Sequence, residues 1–165
     1  MAKRSSAGKT QELSVESLLK SKNILEKLRA VEILKGKRDK DKLFELLYSE
    51  SWHVREKAAQ ALSEWGSEIE DRTLPLLEEK FWYVRAVAAF ILGNVGTEKS
   101  IEPLKRHLTE RNEPVRIESA RALARIKLRK PEIADLISQE DIKLIEENLK
   151  IARDTELLEK LKSGE

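Results

Sequence analysis

A pattern that returns about every thirty residues constrains this chain more than anything else in it. Three segments superpose without gaps: Trp52-His53-Val54-Arg55-Glu56-Lys57-Ala58-Ala59-Gln60-Ala61-Leu62, Trp82-Tyr83-Val84-Arg85-Ala86-Val87-Ala88-Ala89-Phe90-Ile91-Leu92, and Glu113-Pro114-Val115-Arg116-Ile117-Glu118-Ser119-Ala120-Arg121-Ala122-Leu123. The Val-Arg pair stands at 54, 84 and 115, spacings of 30 and 31 residues. Within each segment Val, Ala and Leu fall at i, i+4 or i+5, and i+8, which is one stripe of an α-helix. Small residues at 58, 59, 88, 89, 119 and 120 allow neighbouring helices to approach closely. A unit this short cannot bury its own apolar face, so such a chain folds by stacking each unit on the next.

A second helix is expected in every unit. The first helices run toward glycine or a basic turn: Gly66, Gly93 and Gly96, then Lys127 to Lys130 before Pro131. Beyond these, Ile101, Leu104 and Leu108 keep helical spacing, and Leu74 with Leu77 keep part of it. Leu25 to Leu34 and Leu43 to Leu47 form a worn first unit, as a terminal unit with one face in water should. Ser138-Gln139-Glu140-Asp141 resembles a capping box and opens helices expected near 142–152 and 155–162. The expected fold is all-α: an α-solenoid, a right-handed superhelix of stacked antiparallel helix pairs. About four units are expected, near 24–51, 52–81, 82–112 and 113–138, with a helical C-terminal cap over 139–162. Residues 13–162 read as one domain, and residues 1–12 as a flexible basic tail.

This register resembles the short HEAT-like repeat first described in phycobilisome lyases, whose pattern is close to Asp-Pro-x-Val-Arg-x-Ala-Ala-x-Ala-Leu-Gly. The resemblance spans roughly residues 24–138, an armadillo-like array. The family's capping Asp is replaced by Ser51, Phe81 and Asn112, and Leu-Gly is intact only at Leu92-Gly93. What the resemblance implies is a scaffold for macromolecules; the repeat alone does not confer the lyases' pigment chemistry.

The residues that carry chemistry are few and scattered. Similar deoxyhypusine hydroxylases bind iron through several His-Glu pairs, whereas the two histidines here, His53 and His107, precede Val54 and Leu108. His107 and Glu110 share a helix face, a two-ligand fragment short of a metal site. Zero cysteines remove disulfides and thiolate sites. Gly8-Lys9-Thr10 looks like the tail of a P-loop but has Lys3 where the motif needs glycine. No catalytic residue, metal or cofactor is expected, and the chain is read as a non-enzyme. The opening residues carry no apolar run and no stretch reaches the ~20 apolar residues of a membrane span, so a cytoplasmic protein without membrane contact is expected. Charged residues make up 38% of the chain, with Lys+Arg 32 against Asp+Glu 30. That suits helices laced with ion pairs, a composition like that of heat-adapted proteins, and does not announce a nucleic-acid binder.

Four groups of residues are candidates for function. Trp52, His53, Trp82 and Tyr83 occupy the same turn one unit apart and form a candidate partner-binding edge. Lys42, Glu45, Asp71, Arg72, Glu102, Lys105 and Arg106 are expected on the concave face, with both signs interspersed. The similar alkylpurine DNA glycosylases present a strongly basic groove there; mixed charge favours a polypeptide over a duplex. Arg121, Arg125, Lys127, Arg129 and Lys130 form a candidate anion patch. Arg55, Arg85 and Arg116 form a ladder in the first turn of each helix, where a cation opposes the helix dipole. Something must favour them there, and a carbonyl or carboxylate of the adjacent unit is the expected partner. The leading reading is a non-catalytic scaffold or adaptor gripping a protein through the concave face and the aromatic edge. An RNA- or ribosome-associated protein using the basic tail and the 121–130 patch is the second, and an accessory subunit of an enzyme complex such as a lyase the third.

Overall fold

A computed structural model of the protein describes residues 14–164. The basic tail over 1–12, Gly8-Lys9-Thr10 included, lies outside the described residues. Among the described residues every regular element is helical, and the fold is an all-α solenoid. A short helix α1 (Val15–Lys20) precedes the first pair, α2 (Ile24–Gly36) and α3 (Lys40–Glu45). The second pair is α4 (Trp52–Ser63) and α5 (Glu70–Thr73); the third is α6 (Trp82–Val95) and α7 (Glu98–Arg106). The fourth unit opens with α8 (Glu113–Arg129), and α9 (Gln139–Ile151) and α10 (Thr155–Ser163) follow.

The first helices are long because their apolar stripe is unbroken, and the second helices are ragged for identifiable reasons. α5 is a single turn between tighter 3₁₀ turns, Gly66–Ile69 and Leu74–Glu78. Pro75 supplies no N–H and its ring crowds the preceding turn, which favours the break from α-helix there. α8 stops before Pro131, which opens a 3₁₀ stretch over Pro131–Leu136. α9 begins with a complete capping box: Ser138 and Asp141 bond reciprocally to each other's backbone. α9 packs against both α8 and α10, and its Asn148 is 3% exposed. That side chain accepts from Arg116 Nε at 2.8 Å and donates to the Leu108 and Leu144 carbonyls at 3.2 and 2.9 Å. Helix α9 is thereby bonded to Leu108 of the third unit and to Arg116 of the fourth.

The stripe read from the sequence is the core: Val54, Ala58 and Leu62, then Val84, Ala88 and Leu92, then Val115, Ala120 and Leu123 are all at most 1% exposed. Each such Leu contributes roughly 1.5–3 kcal/mol by leaving water. Gly93, expected at a helix end, lies inside α6. A Cβ built on it would stand 2.8 Å from the backbone Cα of Ala122 in α8. The glycine is there to let α6 and α8 touch.

The three ladder arginines stitch the stack. Arg55 Nη1 donates to the Ser49 and Glu50 carbonyls at 2.6 and 3.0 Å, and Arg85 Nη1 to those of Glu79 and Lys80 at 2.7 and 3.1 Å. Arg116 Nη1 reaches the Glu110 carbonyl at 3.0 Å. These oxygens sit where the preceding second helices end and leave carbonyls without helical partners. Arg85 also holds the Glu110 carboxylate, which accepts from it through both Nε and Nη2. The buried acid Glu70 acts in the opposite sense, at a helix start. Its carboxylate accepts from Thr97 N, Thr97 Oγ1 and Ser100 Oγ at 2.7, 2.8 and 2.6 Å, capping α7 from the unit before.

Gly93→Ala gains up to ~1 kcal/mol of helix propensity, yet the clash with Ala122 should outweigh it. The variant should lose about 1–3 kcal/mol in denaturant unfolding, as overpacked cores do; a raised midpoint would show that α6 and α8 do not cross there.

Acid should loosen the stack. Burial alone would raise the Glu110 carboxyl, but hydrogen bonds from Arg85 and His107 outweigh it and hold it below its ordinary value. Asp141 is likewise lowered: burial opposes, and bonds from Ser138 and Lys105 prevail. Because both folded-state values are depressed, the stability they lend is whole above the ordinary carboxylate range and drains as pH falls through it toward the lowered values. The unfolding midpoint should be flat from neutrality to about pH 5 and then fall, less steeply in Glu110→Gln, whose titrating group is gone.

A candidate partner-binding groove on the first helices

Trp52 and Trp82 are each the first residue of their helix, so their side chains stand at the rim of the array, where the chain enters from the preceding second helix. They are 57% and 45% exposed, and neither ring folds away over the unit before it. Trp52 lies against His53 with ring centroids 3.8 Å apart. Tyr83 stacks on Phe81 at 5.3 Å and meets Trp82 edge-on at 5.9 Å. The guanidinium of Arg55, already held by two carbonyls, covers the Tyr83 ring at 4.5 Å.

The rings of Trp52, Trp82 and Tyr83 border a groove of about 300 Å³ that crosses from α4 to α6. Its floor is Ala86, Val87 and Phe90; Arg55, Glu56 and Glu118 give it a polar rim. Of the four residues expected to form an edge, Trp52, Trp82 and Tyr83 line this groove and His53 does not; the floor was not anticipated. The signal was present: Tyr83, Val87 and Phe90 recur at helical spacing opposite the Val84-Ala88-Leu92 stripe, so α6 is apolar on two faces.

Most of the charged residues expected on the concave face are paired with opposite charges on neighbouring elements. Lys42 pairs with Glu16 at 2.7 Å, Arg72 with Asp41 at 2.5 Å and Asp71 with Lys99 at 2.8 Å. Lys105 bridges Glu102 at 2.9 Å and Asp141 at 3.0 Å, and Arg72 also lies 4.1 Å over the Phe44 ring. Glu45 and Arg106 have no ion-pair partner among the described residues. Nearby, Tyr48 donates to Glu79 at 2.8 Å, and burial together with that bond pushes its phenol up to about 12.

The structure does not bring the basic patch together as a set. Arg121 donates to Glu118 at 2.6 Å and to Asp154 at 2.9 Å; burial opposes its charge, but the two carboxylates raise its pKa. Arg129 spans the Gly93 and Gly96 carbonyls at 2.7 and 2.8 Å, and Lys130 lies 3.9 Å from Glu132. Arg125 and Lys127 have no ion-pair or hydrogen-bond partner among the described residues. His107 and Glu110 do meet, at 2.8 Å, but Arg85 occupies the same carboxylate, so the pair is part of a stitch. Among the described residues no three His, Asp or Glu side chains are placed to hold a metal ion, and no helix is long and apolar enough to cross a membrane.

Residues 70–158, just over half of the chain, match the family model for HEAT repeats, and residues 41–69 match the model for a single HEAT repeat. No curated protein matches the chain.

Exposure of the two rim tryptophans can be checked directly. Acrylamide should quench most of the native fluorescence, and Trp52→Phe with Trp82→Phe should leave only the weakly quenched emission of Trp65, which packs against the core. Quenching unchanged by the double variant would mean the rim rings are covered.

Proposed function

The chain belongs to the HEAT-repeat family, whose members are generally non-catalytic interaction scaffolds, and from that premise we propose that it is a scaffold or adaptor that docks a protein partner in the Trp52–Trp82 groove. We place its repeats in the short subtype of the phycobilisome lyases, on the Val-Arg, Ala-Ala and Leu register, and take residues 13–162 to act as one domain. The observation that carries the reading is the exposure of two tryptophans around an apolar floor. Large aromatic rings left half in water are costly, and they dominate binding energy where a partner covers them. Charged side chains on the second helices largely neutralise one another, which leaves the first-helix face as the adhesive one.

The alternative of an RNA partner is weakened because Arg121 and Lys130 have acidic neighbours and the remaining bases form no track. The two readings separate in one experiment on the partner captured from the native organism, with and without RNase. Trp52→Ala or Trp82→Ala should each weaken capture by at least ~1 kcal/mol without changing the helical content. Changing Arg125, Lys127 and Lys130 to Ser should leave it nearly intact. An RNase-sensitive interaction with a log–log salt slope near about −2, lost with the three bases and kept without the tryptophans, would reverse the assignment.

A further inference from the structure

A cleft of about 540 Å³ opens where the end of α6, the last two turns of α8 and the start of α10 converge. Leu128 and Leu157 give it an apolar wall; the rest of its lining is polar. Charge in the cleft is unbalanced once its internal bonds are drawn. Asp154 is engaged by Arg121 at 2.9 Å and by capping Leu157 N at 3.3 Å, and Glu156 by Lys160 at 2.7 Å. What is left over is two guanidiniums. Arg129 is held only by the neutral Gly93 and Gly96 carbonyls; Glu70, whose charge bears on it, already accepts three hydrogen bonds. Arg125 lies 5.7 Å over the Phe90 ring, and its buried Nη1 finds no acceptor in the protein. A buried donor of a charged group without an acceptor is costly, and with a second guanidinium beside it, one held only by neutral carbonyls, a multiply charged oxyanion is favoured over a single carboxylate. Asn94, whose amide donates one N–H to the Phe90 carbonyl at 3.1 Å, has a second to offer.

We propose that this cleft is a binding site for a phosphate-type oxyanion, with Arg125 as its principal ligand and Arg129, Asn94 and the Leu128–Leu157 wall completing it. The volume suits a phosphorylated small molecule. It does not suit a polynucleotide, because the neighbouring bases Arg121 and Lys130 have carboxylates beside them. Arg129 serves structure and ligand together, which is why Arg125, which makes no hydrogen bond among the described residues, is the residue to change.

The test is titration of the full-length protein with inorganic phosphate, pyrophosphate and a mononucleotide at constant ionic strength, read by calorimetry and by the arginine Nε–Hε resonances. Saturable binding should shift the Arg125 resonance. Arg125→Gln should lower affinity about tenfold or more with an unchanged melting temperature, and Arg125→Lys, which keeps the charge but loses the fork, should weaken it less. Lys127→Gln, outside the cleft, should bind as wild type. A mononucleotide binding more tightly than inorganic phosphate supports the site and assigns the leucine wall to the body of the ligand; equal affinities support it with the phosphate alone recognised. No saturable binding at millimolar anion, or binding that Arg125→Gln spares and Lys127→Gln removes, overturns the proposal.

Discussion

The stack depends on how each first helix begins. An arginine in the fourth position of α4, α6 and α8 turns back and satisfies the carbonyls left at the end of the preceding second helix. Placing a cation in the first turn of a helix costs about 0.3–1 kcal/mol against the dipole, whereas a hydrogen bond from a charged donor returns about 1.5–3 kcal/mol. The exchange is favourable each time, and it fixes the distance from one unit to the next. None of these helices has a side-chain N-cap, so the joint is held from the side of the carbonyls. With the joint fixed, alanines and Gly93 meet at the crossings, and the residue that opens each helix is held at the rim.

Features set within a few residues were legible in the sequence. The Val-Ala-Leu stripe is the core, and the Ser138–Asp141 box opens α9. Features set by the registry of one unit against another were not. Lys42, Asp71, Arg72 and Lys105 look like an open charged face when read along the chain; each has a partner 26 to 36 residues away. A clue did exist, since Asp41 and Arg72, and Asp71 and Lys99, are opposite charges about one repeat apart. Helix α1 escaped because two buried residues, Val15 and Leu18, are too few to show a period. The polar bonds of α9 to the preceding helices escaped because they are made by a single buried amide, Asn148, which no spacing rule singles out.

The two layers divide the work. On the second helices, cross-unit ion pairs such as Lys99–Asp71 are exposed and contribute little individually, about 0–1 kcal/mol, but they leave that face self-compensated. On the first helices, α6 presents aromatic and aliphatic residues to the outside, and the cations near its C-terminal end face carbonyls or nothing. One helix thus carries an apolar site toward its start and a polar cleft at its end, with Phe90 lying under Arg125 between them.

The position of α6 in the array has a dynamic consequence. Its residues belong to both core clusters, Ile91 and Val95 to the N-terminal one and Ala88, Ala89 and Leu92 to the C-terminal one, so opening it requires both to open. In a one-dimensional stack, fraying begins at the terminal units and reaches the interior last. The Trp82–Phe90 surface of α6 is therefore among the last to open, and a visitor to it meets side chains already in place. Little ordering entropy remains to be lost on contact, so even a small footprint can hold.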